Sequence, residues 1–222
     1  MRKILFLLMI LVVCEIQAQE KSLEDFFKVT VFDQIDVLLI HSNENKIILN
    51  GAGSEDVQLI NKDGELKIRM PLTKLLSGDN ISATVYFKDI SAVEANEGSR
   101  ISSESVILSS NFDLITKEGS VAVLTLDVQN LKVKMNDGSK ITLQGKAVNQ
   151  DILLNSGSVY QAQKLQSDYV LVTANAGAEG SVYAISTIDA KSRAGGKVNI
   201  YGSPKRITKK TIAGGQILEK AD

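Results

Sequence analysis

The sequence predicts an all-β fold of the solenoid class: a parallel β-helix of about seven rungs of ~19 residues, entered through an irregular β region that caps its N-terminal end. Three observations predict it. Glycine recurs at Gly98, Gly119, Gly138, Gly157, Gly177, Gly195 and Gly214, in steps of 21, 19, 19, 20, 18 and 19 residues. Apolar and polar residues alternate on both sides of these glycines. No helix is predicted between residues 91 and 218, so the coil itself must return the chain to each new parallel strand.

The first element, residues 1–18, differs from everything after it. Arg2 and Lys3 precede the apolar run Ile4 to Val13, and Ala18 is small enough for cleavage, so a signal peptide with a mature start at Gln19 is expected. The apolar run is about half of what a membrane-spanning helix needs. Cys14 raises an alternative, lipid attachment. The preceding Val13 is not the small residue usual at such sites, which favours a cysteine discarded with the leader. The mature chain then has no cysteine, and disulfides and thiolate metal sites are excluded.

Residues 19–90 lack the glycine period. Strand-like runs fall at 28–32, 35–40, 46–50, 57–61, 65–70 and 81–87, with Asp63-Gly64 as a hairpin signal. A solenoid has unpaired strand edges at both ends, so this region is expected to form wider rungs that close one of them. Residues 71–80 are expected to be a surface loop, or one helical turn in which Leu72, Leu75 and Leu76 plug an opening. "GAGSED", residues 51–56, lacks the lysine and the following helix of a phosphate loop and is a turn.

Residues 91–222 carry the repeats, continuous with the same core. In "LKVKMNDGSKITL", residues 131–143, Leu131, Val133 and Met135 alternate with lysines, and Ile141 and Leu143 resume the alternation after Asn-Asp-Gly-Ser. Two short strands each offer one apolar face, and the four residues between them suit a sharp bend. The inward pattern recurs at Phe112/Leu114, Ile152/Leu154, Val170/Val172 and Ile188/Ala190 before the glycines, and at Ile101, Val198 and Ile217 after them. Hairpins would need a second regular turn, whereas the stretches between units are long and irregular. Windings stacked at ~4.8 Å would instead form a prism on the order of 30 Å long, with like residues in files. At the fifth corner, "NAGAEGSVY", either Gly177 or Gly180 fits.

The corners "NEGSRI", "KEGSVAV", "NDGSKITLQG" and "NSGSV", together with the ending "VNIYGSPKRITKKTIAGGQI", resemble the putative auto-transporter adhesin, head GIN domain family of secreted and envelope proteins of Bacteroidota. That resemblance implies a single-stranded, right-handed parallel β-helix and an adhesin-like role.

Composition excludes some functions. Lys+Arg 25 against Asp+Glu 26 gives no field for a nucleic acid, and the basic cluster Lys205, Arg206, Lys209 and Lys210 is small. His41 is the only histidine, which rules out multi-histidine metal sites and leaves a Ser-His-Asp triad resting on one strand-end residue. Stacked corners would place Glu97, Glu118 and Asp137 in one column, with Ser156 next. A solvated acidic edge is the expected reading; the alternative, a divalent-cation site, falls short of the oxygens calcium requires. No cofactor and no catalytic residue is assigned.

Two functional classes remain. The first is a non-enzymatic exported module of the cell envelope, adhesin-like or structural, with an envelope protein or a glycan as partner, located in the periplasm, at the outer-membrane surface or outside the cell. The second is a carbohydrate-active β-helix enzyme, lyase- or hydrolase-like, using surface carboxylates about 5 to 10 Å apart in a cleft. The chain has no Trp and only five Tyr, which favours binding or structure. Tyr160, Tyr183 and Tyr201 each follow a corner and are expected to serve strand packing rather than a shared wall.

Overall fold

The computed structural model describes residues 19–221; the expected leader and Cys14 lie outside the described residues. The chain is a β-solenoid of about seven turns. Its strands are β1 (Gln19–Ser22), β2 (Lys28–Val31), β3 (Asp36–His41), β4 (Lys46–Asn50), β5 (Gln58–Lys62), β6 (Glu65–Arg69), β7 (Ser82–Phe87) and β8 (Ala92–Ala95). Five long strands follow, β9 (Arg100–Thr116), β10 (Val121–Met135), β11 (Lys140–Leu154), β12 (Val159–Ala174) and β13 (Glu179–Arg193). The chain ends in β14 (Lys197–Tyr201), β15 (Arg206–Ile212) and β16 (Gln216–Glu219).

Strands β9 to β13 pair in parallel, each with the next. Alternation then decides which residues meet: Val133 lies opposite Leu114 and Ile152, all three buried, while Lys132 between Asp113 and Asp151 faces solvent. Ile217, in β16, is only partly buried; among the described residues β16 pairs on one side only, with β14.

The corner at Asn136-Asp137-Gly138-Ser139 shows why these residue types recur. Asp137 and Gly138 both have positive φ, 54° and 68°, and the Ser139 N–H closes the turn on the Asn136 carbonyl. Glycine takes this conformation freely, and a short polar side chain tolerates it better than an apolar one. Corners then bond to one another: Gly98 N–H donates to the Glu118 carbonyl, Gly119 to Asp137, Gly138 to Ser156, Gly157 to Ala176, Gly177 to Ala194 and Gly195 to Ala213. All seven glycines therefore share one edge. Gly177 forms the fifth corner; Gly180 lies within β13 opposite Tyr160, where a Cβ would come 2.7 Å from Leu154 Cδ1.

The N-terminal region contributes a winding of its own. Strand β2, a corner at Asp33 and Gln34 (φ 58° and 65°) and β3 stack in register on β8, Asn96–Ser99 and the start of β9. On the far side, β6 pairs with β2 and β7 with β3, both in parallel. Antiparallel strands close that end: β4 on β7, β1 on β4, and β5 on β6 through Asp63-Gly64.

Leu72, Leu75 and Leu76 do not plug an opening. A 3-10 turn spans Leu72–Lys74, and all three leucines are exposed. The buried Asp33 carboxylate accepts the Met70 and Leu76 N–H groups, and its carbonyl accepts Gly78 N–H, which ties the loop to the corner with the leucines turned outward.

At the opposite end, Lys209 stands in register with buried Ala190, and Glu219 with buried Ile200. Both inward positions thus carry charge, and the two side chains form an ion pair over the end of the core.

Candidate binding surface

Two departures from the 19-residue step shape a surface concavity. Between the positions paired with Val123 and Thr125, β9 inserts Ser103, Glu104 and Ser105 where β10 has only Leu124. Likewise β12 has Ala162 and Gln163 where β11 has only Leu143. The intervening windings, β10 and β11, run flush against each other here. Two bulged rungs thus flank two flat ones, and the result is a saddle of about 250 Å³.

Val123 supplies its exposed aliphatic surface, Leu124 and Leu143 lie buried beneath its floor, and Ser103, Thr125, Thr142, Gln144, Gln161, Gln163 and Lys164 supply its polar groups. Gln144 Nε2 donates to Thr125 Oγ1 at 2.9 Å, and Thr142 Oγ1 donates to Gln161 Oε1 at 3.3 Å. These bonds run along the stack and pre-set the amides. Gln144 and Gln163 are exposed and Gln161 half-buried.

Glu97, Glu118 and Asp137 do stand in consecutive corners, each with positive φ, followed by Ser156, Ala176, Ala194 and Ala213. Their carboxylates line an edge; among the described residues no three such groups converge as metal ligands would. Burial, then the charges of Asp33 and Glu118, raise the Glu97 carboxyl above the ordinary carboxylate value. His41 ends β3 with its ring 5.7 Å from that of Phe87, edge to face.

Another ionic network ties the first windings together. Lys28 bridges Glu65 and Glu94 at 3.0 and 2.8 Å, and Lys117 reaches Glu94 at 2.7 Å. Burial pushes the Glu65 carboxyl up, but the Thr30 hydroxyl and Lys28 outweigh it and hold it at about 2. Glu94 is likewise lowered, burial being outweighed by Lys117 and Lys28. These carboxylates are locked as ions, which suits stacking and not proton donation. Asp127 and Asp168 line a separate concavity of about 320 Å³, with Lys146 in register beside Asp127.

Asparagines form two ladders. Asn136, Asn155 and Asn175 are linked at the corners, each later amide donating to the one before it at 3.0 Å. Asn111, Asn130 and Asn149 form a second ladder at 3.0 and 2.8 Å. The three tyrosines divide: Tyr160 is fully buried, while Tyr183 and Tyr201 pair in register on the outside.

The same architecture recurs in solved structures. A putative adhesin from Bacteroides fragilis superposes with a TM-score of 0.83 at 16% identity, covering 92% of this chain and 96% of that one. A putative adhesin from Parabacteroides distasonis gives 0.76 at 16% identity, over 92% and 96% of the two chains. A putative lipid binding protein from the same species gives 0.68 at 14% identity with the same coverage. At these identities the likeness speaks for the fold. No curated protein matches the sequence. Residues 25–204 match the profile described as putative auto-transporter adhesin, head GIN domain, and the chain belongs to that family.

Proposed function

We propose that this chain is a non-enzymatic, exported binding module of the cell envelope that holds one or two sugar rings of a surface glycan in the saddle between β9 and β12. The saddle itself carries the reading. Its hydroxyls and amides can each donate and accept, as sugar hydroxyls do, and the exposed Val123 offers aliphatic surface for the C–H face of a ring. Lys164 is its one charged group, which fits a neutral glycan or one carrying a single carboxylate. The adhesin descriptions of the family and its structural neighbours support a binding role. Among the described residues no helix is long and apolar enough to cross a membrane.

A glycan array probed with the purified chain, followed by calorimetry on any hit, tests this. Gln144→Ala and Gln161→Ala should each weaken a hit by at least about tenfold, the loss of one or two hydrogen bonds. Binding that survives both substitutions, or no binding at all, rejects the saddle as the site. Appearance of new reducing ends in the bound glycan, abolished by Asp127→Asn or Asp168→Asn, would replace this reading with the carbohydrate-active one.

A further inference from the structure

Strand β9 lacks a neighbour along the middle of one edge. On that edge β3 pairs with residues 100–103 and β8 with residues 113–116, but among the described residues no other strand pairs with residues 104–112 from that side. Strands β10 and β11 are paired on both sides through the matching stretch. The cause lies in the path of the early chain. After β3 it turns back through residues 42–45 into β4, and residues 88–91 carry it from β7 to β8 by a shorter route than residues 104–112 take between the same two walls. The gap is bounded at both ends, where the His41 N–H donates to Ser105 Oγ at 3.4 Å and the Asp113 N–H to the Ser91 carbonyl at 2.9 Å.

We propose that this gap is a docking site for an extended segment of another envelope protein, apolar at alternate positions and basic at its ends, which adds to β9 as a strand along residues 106–111. The N–H and C=O groups of an open strand edge are matched in spacing by another backbone, which a sugar or a lipid does not offer. The opening is roughly 17–20 Å long, the span of five or six extended residues. Val106 and Leu108 face outward beside it, 46% and 72% exposed, with Ile107 buried between them. A guest strand with aliphatic residues at alternate positions lays them against this pair. Glu104 in the open stretch and Asp89 on the segment that bounds it are both exposed, and among the described residues neither forms an ion pair; Lys88, next to Asp89, is taken by Asp25. These free carboxylates select basic residues at the ends of the guest. Asp89 also lines, with Phe26 and Phe27, a concavity of about 310 Å³, which leaves room for a guest side chain on that side.

The acetylated and amidated peptide KVTVTVK, titrated into the mature chain and followed by amide NMR, tests the proposal. In the free chain, several amides of residues 106–111 should exchange with solvent at least about tenfold faster than those of residues 125–130. Peptide should shift residues 104–112 and 88–91 and slow the fast amides. Leu108→Lys, which alters an exposed side chain and leaves the core intact, should weaken binding at least about tenfold, and so should reversal of the peptide's charges in EVTVTVE, with high salt narrowing the difference between the two peptides. KPTPTPK keeps the charges but lacks alternate N–H groups, and it should not bind. Slow exchange throughout residues 106–111 of the free chain, shifts elsewhere or none at millimolar peptide, or KPTPTPK binding as well as KVTVTVK would each overturn the proposal.

Discussion

The phenol of Tyr160 donates a 2.7 Å hydrogen bond to Oε1 of Gln150, ten residues earlier, inside the apolar interior. The Gln150 amide in turn donates to the Ser167 hydroxyl, so a buried polar chain runs through the core of β11 and β12. Burial with no opposing charge pushes the Tyr160 phenol far above its ordinary value, and it stays a neutral donor. Tyr160→Phe leaves Gln150 short of a partner and should cost about 1–3 kcal/mol. A urea melt in which the variant matches the wild type would refute this.

Core and surface positions one residue apart should respond oppositely. Val133→Asp puts a carboxylate between Leu114 and Ile152 and should prevent folding. Alternation alone predicts that Lys132→Asp is nearly neutral. Register changes that expectation, because Lys132 sits between Asp113 and Asp151, and a third carboxylate in the file should cost about 0.5–1 kcal/mol. Lys132→Gln should be the neutral change. Circular-dichroism melts of the three variants decide the order.

The middle amide of the outer ladder is the one that holds both neighbours. Asn130→Ala removes the bonds to Asn111 and to Asn149 and should lower Tm by about 2–4 °C, for a loss of about 1 kcal/mol in a chain of this size. Asn149→Ala breaks one of them and should have roughly half the effect. Equal Tm shifts for the two would show that the ladder does not act as a stack.

Acid should loosen the first windings. Glu65 and Glu94 have folded values below the ordinary 4.5, so their contribution is present above about pH 4.5 and is lost as pH falls toward 2. Lys28 is raised, Glu94 and Glu65 outweighing its burial, so its share persists through neutral pH and is lost only as alkali passes its folded value. Glu97 acts in the opposite sense: its raised carboxyl favours folding when protonated and opposes it as pH rises. Lys28→Met should therefore lower Tm at neutral pH with the deficit shrinking toward pH 2, and Glu97→Gln should raise Tm at neutral pH. Thermal melts from about pH 2 to 8 check both signs.

Much of the architecture is legible in the residues because a coil turns spacing into position. The 19-residue step and the strand alternation together say that Val133 meets Leu114 and Ile152. The tyrosines are legible by parity: Tyr160 lies three residues past its glycine, as buried Ile101, Ile141 and Val198 do, whereas Tyr183 and Tyr201 lie six past theirs and face out. The corner at Asp33 and Gln34 escapes the glycine period because two non-glycine residues take the left-handed conformation there, stabilised by bonds that only the folded loop supplies. The Asn111–Asn130–Asn149 ladder carries the same 19-residue spacing, so asparagine marks the period as glycine does. The saddle left its trace in the steps of 21 and 20, but a count cannot say where within a winding the extra residues bulge.

Because the β2–β3 winding is sandwiched between β6–β7 and β8–β9, both of its neighbours lie later in the chain. A polypeptide delivered amino end first, from a ribosome or through a pore, emerges with β2 and β3 without partners until β6 and β7 have followed, and their second neighbours come only with β8 and the residues from Arg100. Only then does a seed exist on which later coils can zip up one after another. Topology alone thus leaves the early strands waiting for later ones, and stacking of the repeats follows.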